Sequence, residues 1–155
     1  MLSFVGKYVL VCPGRGTDTC GRNQNKCSGK QEKMSKFVIH EHEALRAGLH
    51  HDLRLERNGA LKSWAVPKGV PEEPGVRRVA MTVEDHALSY GKFEGKIPKG
   101  QYGAGKVRIW DRGTYYTKSW GDTKIEVTLR GKRLRGEYVL RWMEKMNNWL
   151  LWKRQ

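Results

Sequence analysis

The chain has 155 residues and sets 30 Lys plus Arg against 16 Asp plus Glu, a formal net charge of +14 at pH 7. That length fits one domain able to bury its own core without a disulfide or metal scaffold, and cations spread along the whole chain attract polyanions such as nucleic acid. The most apolar stretch near the start, residues 4–11, is interrupted by Lys7; it is too short to span a membrane and lacks the basic leader and cleavage site of a signal peptide. We expect a cytoplasmic protein with no membrane association, in which this stretch forms a β-strand.

Cys12, Cys20 and Cys27 follow in a polar, Gly-rich segment. An odd count without an export signal points to reduced thiols, with a structural zinc held by these three and a fourth ligand as the alternative. Residues 1–35 differ in texture from the rest and are expected as an N-terminal strand plus a Cys-containing polar segment, leaving 36–155 as the globular domain.

From residue 36 onward, short runs rich in Val, Ile, Tyr, Trp and Leu alternate with Gly, Pro, Asn and Lys clusters. The clearest element is "DLRLERNGALKSWAV", where two alternating strands flank Asn58-Gly59, the preferred pair for a type I′ hairpin turn. Further strands are expected at 78–83, 106–110, 124–129, 137–142 and 149–153, with turns at Arg130-Gly131-Lys132 and Asn147-Asn148. The Gly-rich residues 91–105 read as loop, and only "EHEALRAGL" (41–49) as a helical turn. Of the six tryptophans, Trp64, Trp110, Trp142, Trp149 and Trp152 are expected in the core and Trp120 at the surface. The fold class is all-β with little helix, a compact closed barrel of about eight antiparallel strands.

Four of the five histidines lie in "VIHEHEALRAGLHHDLRLE" (38–56). On an extended strand the two-residue period puts His50, Asp52 and Arg54 on one face and His51, Leu53 and Leu55 on the other. Applied to "KFVIHEH", the same period turns Phe37 and Ile39 inward and His40 and His42 outward. Two imidazoles and a carboxylate suit Mn²⁺, Fe²⁺ or Zn²⁺ and leave coordination positions open; the bland alternative is a basic surface whose histidines are solvated or touch nucleic acid. Arg54 would set a two-pronged donor beside such a metal, as a phosphate requires, or simply pair with Asp52. His86, in "TVEDHALSYG", stands apart with Tyr90 four residues on.

The blocks "FVIHEH", "LHHDLRLERNGALKSWAVPKG", "VEDHALSY", "FEGKIPKGQYGAGKVRIWDRG" and "LRGEYVLRWM" with "NWLLWK" together resemble the 3′-phosphoesterase domain of the DNA ligase D of bacterial and archaeal non-homologous end joining, in its stand-alone form. The resemblance runs from about Lys36 to the C-terminus. It implies a Mn²⁺-dependent β-barrel hydrolase, with Zn²⁺ or Co²⁺ able to take the same site. Such an enzyme removes a 3′-terminal ribonucleoside and then the 3′-phosphate from a DNA or DNA/RNA primer-template, leaving a 3′-OH for a separate polymerase or ligase.

Carried over by position, the resemblance gives His42, His50 and Asp52 as metal ligands and Arg54 as a phosphate contact. His86 becomes an active-site residue, acting as acid for the leaving oxygen or as a phosphate donor. Tyr90, Lys68 and one of Arg77 or Arg78 fall near the substrate phosphate. The chain departs from the family at His40, where glutamine is usual and histidine serves either as phosphate donor or as an added ligand. It departs again at the N-terminus, where "PGRGTDTCGRNQNKCSGK" replaces a basic arm and Asp18 or Glu32 is the candidate substitute. The rival readings are a non-catalytic nucleic-acid-binding barrel with structural zinc and a nuclease acting on internal bonds.

Overall fold

The structure, a computed structural model, describes residues 33–155. The readings placed on residues 4–11, Cys12, Asp18, Cys20, Cys27 and Glu32 lie outside the described residues.

Local turn chemistry starts the fold. Asn58 and Gly59 both take positive φ, 52° and 79°, as a type I′ turn demands, and this locks β2 (Gly48–Arg57) to β3 (Ala60–Val66) in the register Arg57↔Ala60 and Arg54↔Ser63. β1 (Ser35–Ala44) pairs antiparallel with β2 on one edge and with β6 (Gly105–Trp120) on the other. The remaining strands are β4 (Arg77–Ala87), β7 (Lys124–Gly131), β8 (Arg135–Met143) and β9 (Asn148–Lys153). Round the ring the order is β1-β2-β3-β4-β9-β8-β7-β6 and back to β1, a closed antiparallel barrel of eight strands. β5 (Gly95–Ile97) adds three residues to the β6 edge. Closure removes the free sheet edges that would otherwise invite aggregation.

Phe37, Ile39, Leu53, Leu55, Trp64, Tyr115, Leu140 and Leu151 fill the interior, so the predicted alternation in β1 and β2 holds. β6 carries one extra residue opposite Ile39/His40; because the bulge sits in β6, β1 keeps its strict inward–outward alternation. Outward-facing Val38, His40 and His42 should then be solvated, yet His40 is fully buried and His42 is 7% exposed. The cover is the segment after β4: Gly91 packs over Val38 and Leu61, the Tyr90 ring lies edge-on to His40, and Gly103 sits against His42.

Several local expectations change. Residues 91–105, expected as loop, carry β5, and Trp152, expected in the core, lies outside the core cluster under Arg77. Residues 41–49 form no helical turn, since β1 and β2 extend to Ala44 and from Gly48 and leave room for a tight connection alone. β6 continues past residue 110 to Trp120 because Tyr115 pairs with β1 and enters the core. Trp120 is partly buried rather than exposed, packing against the core cluster with Trp64 while Arg57 covers its ring at 4.1 Å.

Candidate metal centre and phosphate pocket

Antiparallel pairing puts His40 opposite Asp52, His42 opposite His50 and Val38 opposite Arg54. The outer faces of β1 and β2 therefore gather every polar residue that the two-residue period had aligned. One ligand atom from each of His42, His50 and Asp52 lies within 4.8 Å of the others. His42 Nδ1 is 3.5 Å from Asp52 Oδ2 and His50 Nε2 is 3.3 Å from Asp52 Oδ1.

The far nitrogens are held by backbone. His42 Nε2 donates to the Gly103 carbonyl at 2.8 Å and His50 Nδ1 to the Gly48 carbonyl at 3.1 Å. Each imidazole thus turns its other nitrogen toward Asp52, the outer-shell pattern that fixes tautomer and ring orientation in histidine metal sites. The donor set and its orientation fit a divalent cation. Burial alone would raise the Asp52 pKa, but hydrogen bonds from His42 and His50 and the charge of Arg54 overcome it and hold the carboxyl well below its usual range. His50 is shifted upward, chiefly by its hydrogen bond to Asp52.

Arg54, 3% exposed, is the hub of the site. Its Nε donates to His40 Nδ1 at 3.0 Å, Nη1 to Ser63 Oγ at 2.8 Å and to His86 Nδ1 at 2.9 Å, and Nη2 to Asp52 Oδ2 at 3.1 Å. Four of the five guanidinium N–H groups are committed to protein, which leaves one on Nη2. Because arginine can only donate, Nδ1 of His40 must accept, so that ring is neutral with its proton on Nε2; His86 Nδ1 lies 2.9 Å from both Arg54 Nη1 and the Glu84 carbonyl oxygen, which can only accept, so these two contacts compete for it. Burial first and Arg54 second depress His40 to about 4, and the same two causes lower His86. His40 Nε2 is buried without a hydrogen-bond partner among the described residues. Tyr90 roofs this network: its ring lies 4.8 Å from the Arg54 guanidinium and 4.5 Å from the His86 ring.

The triad, Arg54, His86 and Tyr90 open into one cavity of about 580 Å³. His40 stands behind Arg54 and does not line it. Lys68 and Arg78 line an adjoining cleft of about 560 Å³ that shares His50 with the first, and Arg78 Nε is buried without a hydrogen-bond partner among the described residues. Arg77 instead points to the outer surface over Trp152, 5.5 Å from the ring. The structure so separates the two arginines: Arg78 borders the cleft and Arg77 does not.

Sequence reasoning missed Ser63, Gly48 and Gly103. Ser63 was legible, because the Asn58-Gly59 turn fixes its pairing with Arg54. Gly48 and Gly103 act through backbone carbonyls, which leave no residue-type signal.

The DNA ligase D 3′-phosphoesterase domain family matches residues 40–141. The chain belongs to that family. The multifunctional non-homologous end joining DNA repair protein LigD of Mycobacterium tuberculosis is 52% identical over 108 residues, covering 67% of this chain and 14% of that protein. LigD of Mycolicibacterium smegmatis is 47% identical over 132 residues, 78% of this chain and 17% of the relative, and that of Pseudomonas aeruginosa 54% identical over 82 residues, 53% and 10%. The chain thus spans less than a fifth of the length of these relatives. As a member of the ligase D phosphoesterase family it is a phosphoester hydrolase, and the match begins at His40, so the whole polar cluster lies inside it. No helix among the described residues is long and apolar enough to cross a membrane.

Proposed function

We propose that residues 36–155 form a Mn²⁺-dependent 3′-end-processing domain. It removes a 3′-terminal ribonucleoside and the 3′-phosphate from DNA or DNA/RNA primer-templates in the cytoplasm, leaving a 3′-OH for a separate polymerase or ligase of end joining. The observation that carries this reading is the convergence of His42 Nδ1, His50 Nε2 and one Asp52 carboxylate oxygen beside a buried arginine. His42, His50 and Asp52 would hold the cation, which supplies Lewis-acid polarisation of the phosphoryl oxygen and charge neutralisation; Zn²⁺ and Co²⁺ suit the same donors.

The remaining roles follow from the chain's own groups. Arg54 presents its charge and its one uncommitted N–H to the phosphate, so it acts as a monodentate donor. Its charge, after burial, also lowers the His86 pKa, and His86 serves as a donor to a phosphoryl or leaving oxygen when Nε2 carries the proton. His40 orients Arg54 from behind, in the place where the family has glutamine. Tyr90 shields Arg54 from water, which strengthens its interaction with an anion. Lys68 and Arg78 extend the positive lining past His50 for the nucleic-acid backbone, with Arg77 as an outer contact.

A 5′-labelled primer-template ending in a 3′-phosphate should be converted to 3′-OH by the wild-type chain with Mn²⁺ and not with EDTA. A duplex that shifts on a gel while keeping its phosphate would leave a binding barrel in place of an enzyme. A second expectation concerns pH. The raised His50 pKa means that the protonated His50–Asp52 pair stabilises the metal-free fold below the ordinary imidazole value of about 6.5, and that this contribution fades as pH rises through the folded value. A cation must displace that proton, so Mn²⁺ affinity should climb as pH rises through about 6.5 and level off only above the raised folded value. Manganese EPR titrations across this range check it, and a flat profile would remove His50 from the ligand set.

A further inference from the structure

Seven large hydrophobic residues are exposed among the described residues, and three of them, Leu45, Met81 and Tyr102, line the cavity that holds the triad. Scattered apolar residues on a surface need no explanation, but their concentration on the lip of the cavity that holds the charged triad does. Tyr102 is the extreme case at 83% exposed, and Leu45 is 61% exposed.

Both are held in place. Tyr102 precedes Gly103, whose carbonyl accepts from His42, and its loop is closed by Gln101 N–H to Pro98 O and Ala104 N–H to Gln101 O. Leu45 N–H donates to Ala104 O at 3.0 Å, which ties the β1–β2 connection to the Tyr102 loop. The aromatic ring is therefore displayed next to the triad on a braced backbone, and among the described residues no side chain covers it. Arg46 lies on the same rim, a cation ready for an adjacent phosphate.

Resting on the end-processing reading above, we propose that Tyr102, backed by Leu45, is a stacking platform for the nucleobase of the terminal nucleotide, so that the site grips the end through its base as well as its phosphate. Stacking is tolerant of base identity because every base has a π-face. The platform therefore selects for the presence of a base, not for a sequence, as an enzyme that trims arbitrary broken ends requires.

The test uses the full chain with Mn²⁺ and two primer-templates ending in 3′-phosphate, one with a normal terminal nucleotide and one with an abasic tetrahydrofuran residue in its place. Tyr102→Ala should raise KM about ten-fold on the normal end with little change in kcat and leave the abasic end unaffected, while Tyr102→Phe should behave as wild type. Equal losses on both ends, or no loss on the normal end, would overturn the platform. A primer with 2-aminopurine as terminal base gives a readout independent of turnover: binding of wild type should quench its fluorescence and binding of Tyr102→Ala should not. If wild type removes no phosphate, the end-processing reading fails, and the quench still decides the platform by itself.

Discussion

Asp52→Asn is expected to lower kcat/KM for 3′-phosphate removal with Mn²⁺ at least about a hundredfold, the upper end of what loss of an outer-shell partner costs at a metal site. The substitution keeps the side chain's shape and removes its charge. Asp52 is 5% exposed, accepts from Arg54, and faces both imidazoles. Without the carboxylate a cation held by the triad would lose its one anionic ligand, and Arg54, 3% exposed, loses its counter-charge.

Removing one partner of a buried ion pair costs about 3–5 kcal/mol, a large share of a typical domain's 5–15 kcal/mol. Denaturant unfolding should therefore show a lower midpoint for Asp52→Asn, and pairing it with Arg54→Met should recover much of the loss because no uncompensated charge remains. The sign with pH is fixed: a depressed carboxyl pKa stabilises the fold above the unfolded value of about 3.9, and the contribution is lost as pH falls through the folded value. The gap between wild type and Asp52→Asn should hold at neutral pH and narrow in acid. Activity within ten-fold of wild type together with an unchanged midpoint would remove Asp52 from both roles.

The parts of this site that sequence could reveal are those governed by strand periodicity. His42, His50, Asp52 and Arg54 fall on one face because the period is two, and the Asn58-Gly59 turn dictates which residues oppose them. Periodicity is silent on what covers a face. That His40 is buried follows from the return of residues 88–104 over β1, a long-range event with no signature in the "KFVIHEH" pattern. His86 was recognisable by resemblance alone, since its approach to Arg54 depends on the irregular β3–β4 pairing, which shifts register between Leu61 and Ser63. The expectation of a two-pronged arginine was reasonable from chemistry and incomplete for the same reason: His40, Ser63 and His86 reach Arg54 from three strands, and they occupy the fork.

The largest effect away from the site is expected at Asp111, a residue that neither periodicity nor resemblance marks out. It lies inward on β6, 4% exposed, opposite Ile39. Oδ1 accepts from Arg112 N–H at 2.8 Å and Lys132 N–H at 3.0 Å, and Oδ2 from Arg133 N–H at 3.2 Å and Leu134 N–H at 2.9 Å. One carboxylate thus satisfies the backbone of the β7–β8 connection, and Gly131 is required beside it because a Cβ there would overlap Asp111 and the Phe37 ring. Asp111→Ala removes all four hydrogen bonds. Arg112, Lys132 and Arg133 are exposed residues whose N–H groups can turn to water, but Leu134, 1% exposed, cannot. An orphaned buried N–H costs about 1–3 kcal/mol and each lost bond to a charged group somewhat more than a neutral one, so a total near 4 kcal/mol is expected, enough to lower the melting temperature by about 10–20 °C in a domain of this size. Asp111→Asn should fall nearly as far, because its amide nitrogen would face two N–H donors. Mn²⁺ affinity of the folded protein should stay within about twofold of wild type, since Asp111 faces the interior and the triad the outer surface. Thermal melts paired with manganese titrations separate the two effects, and an unchanged melting temperature would mean that the connection is held by something other than this carboxylate.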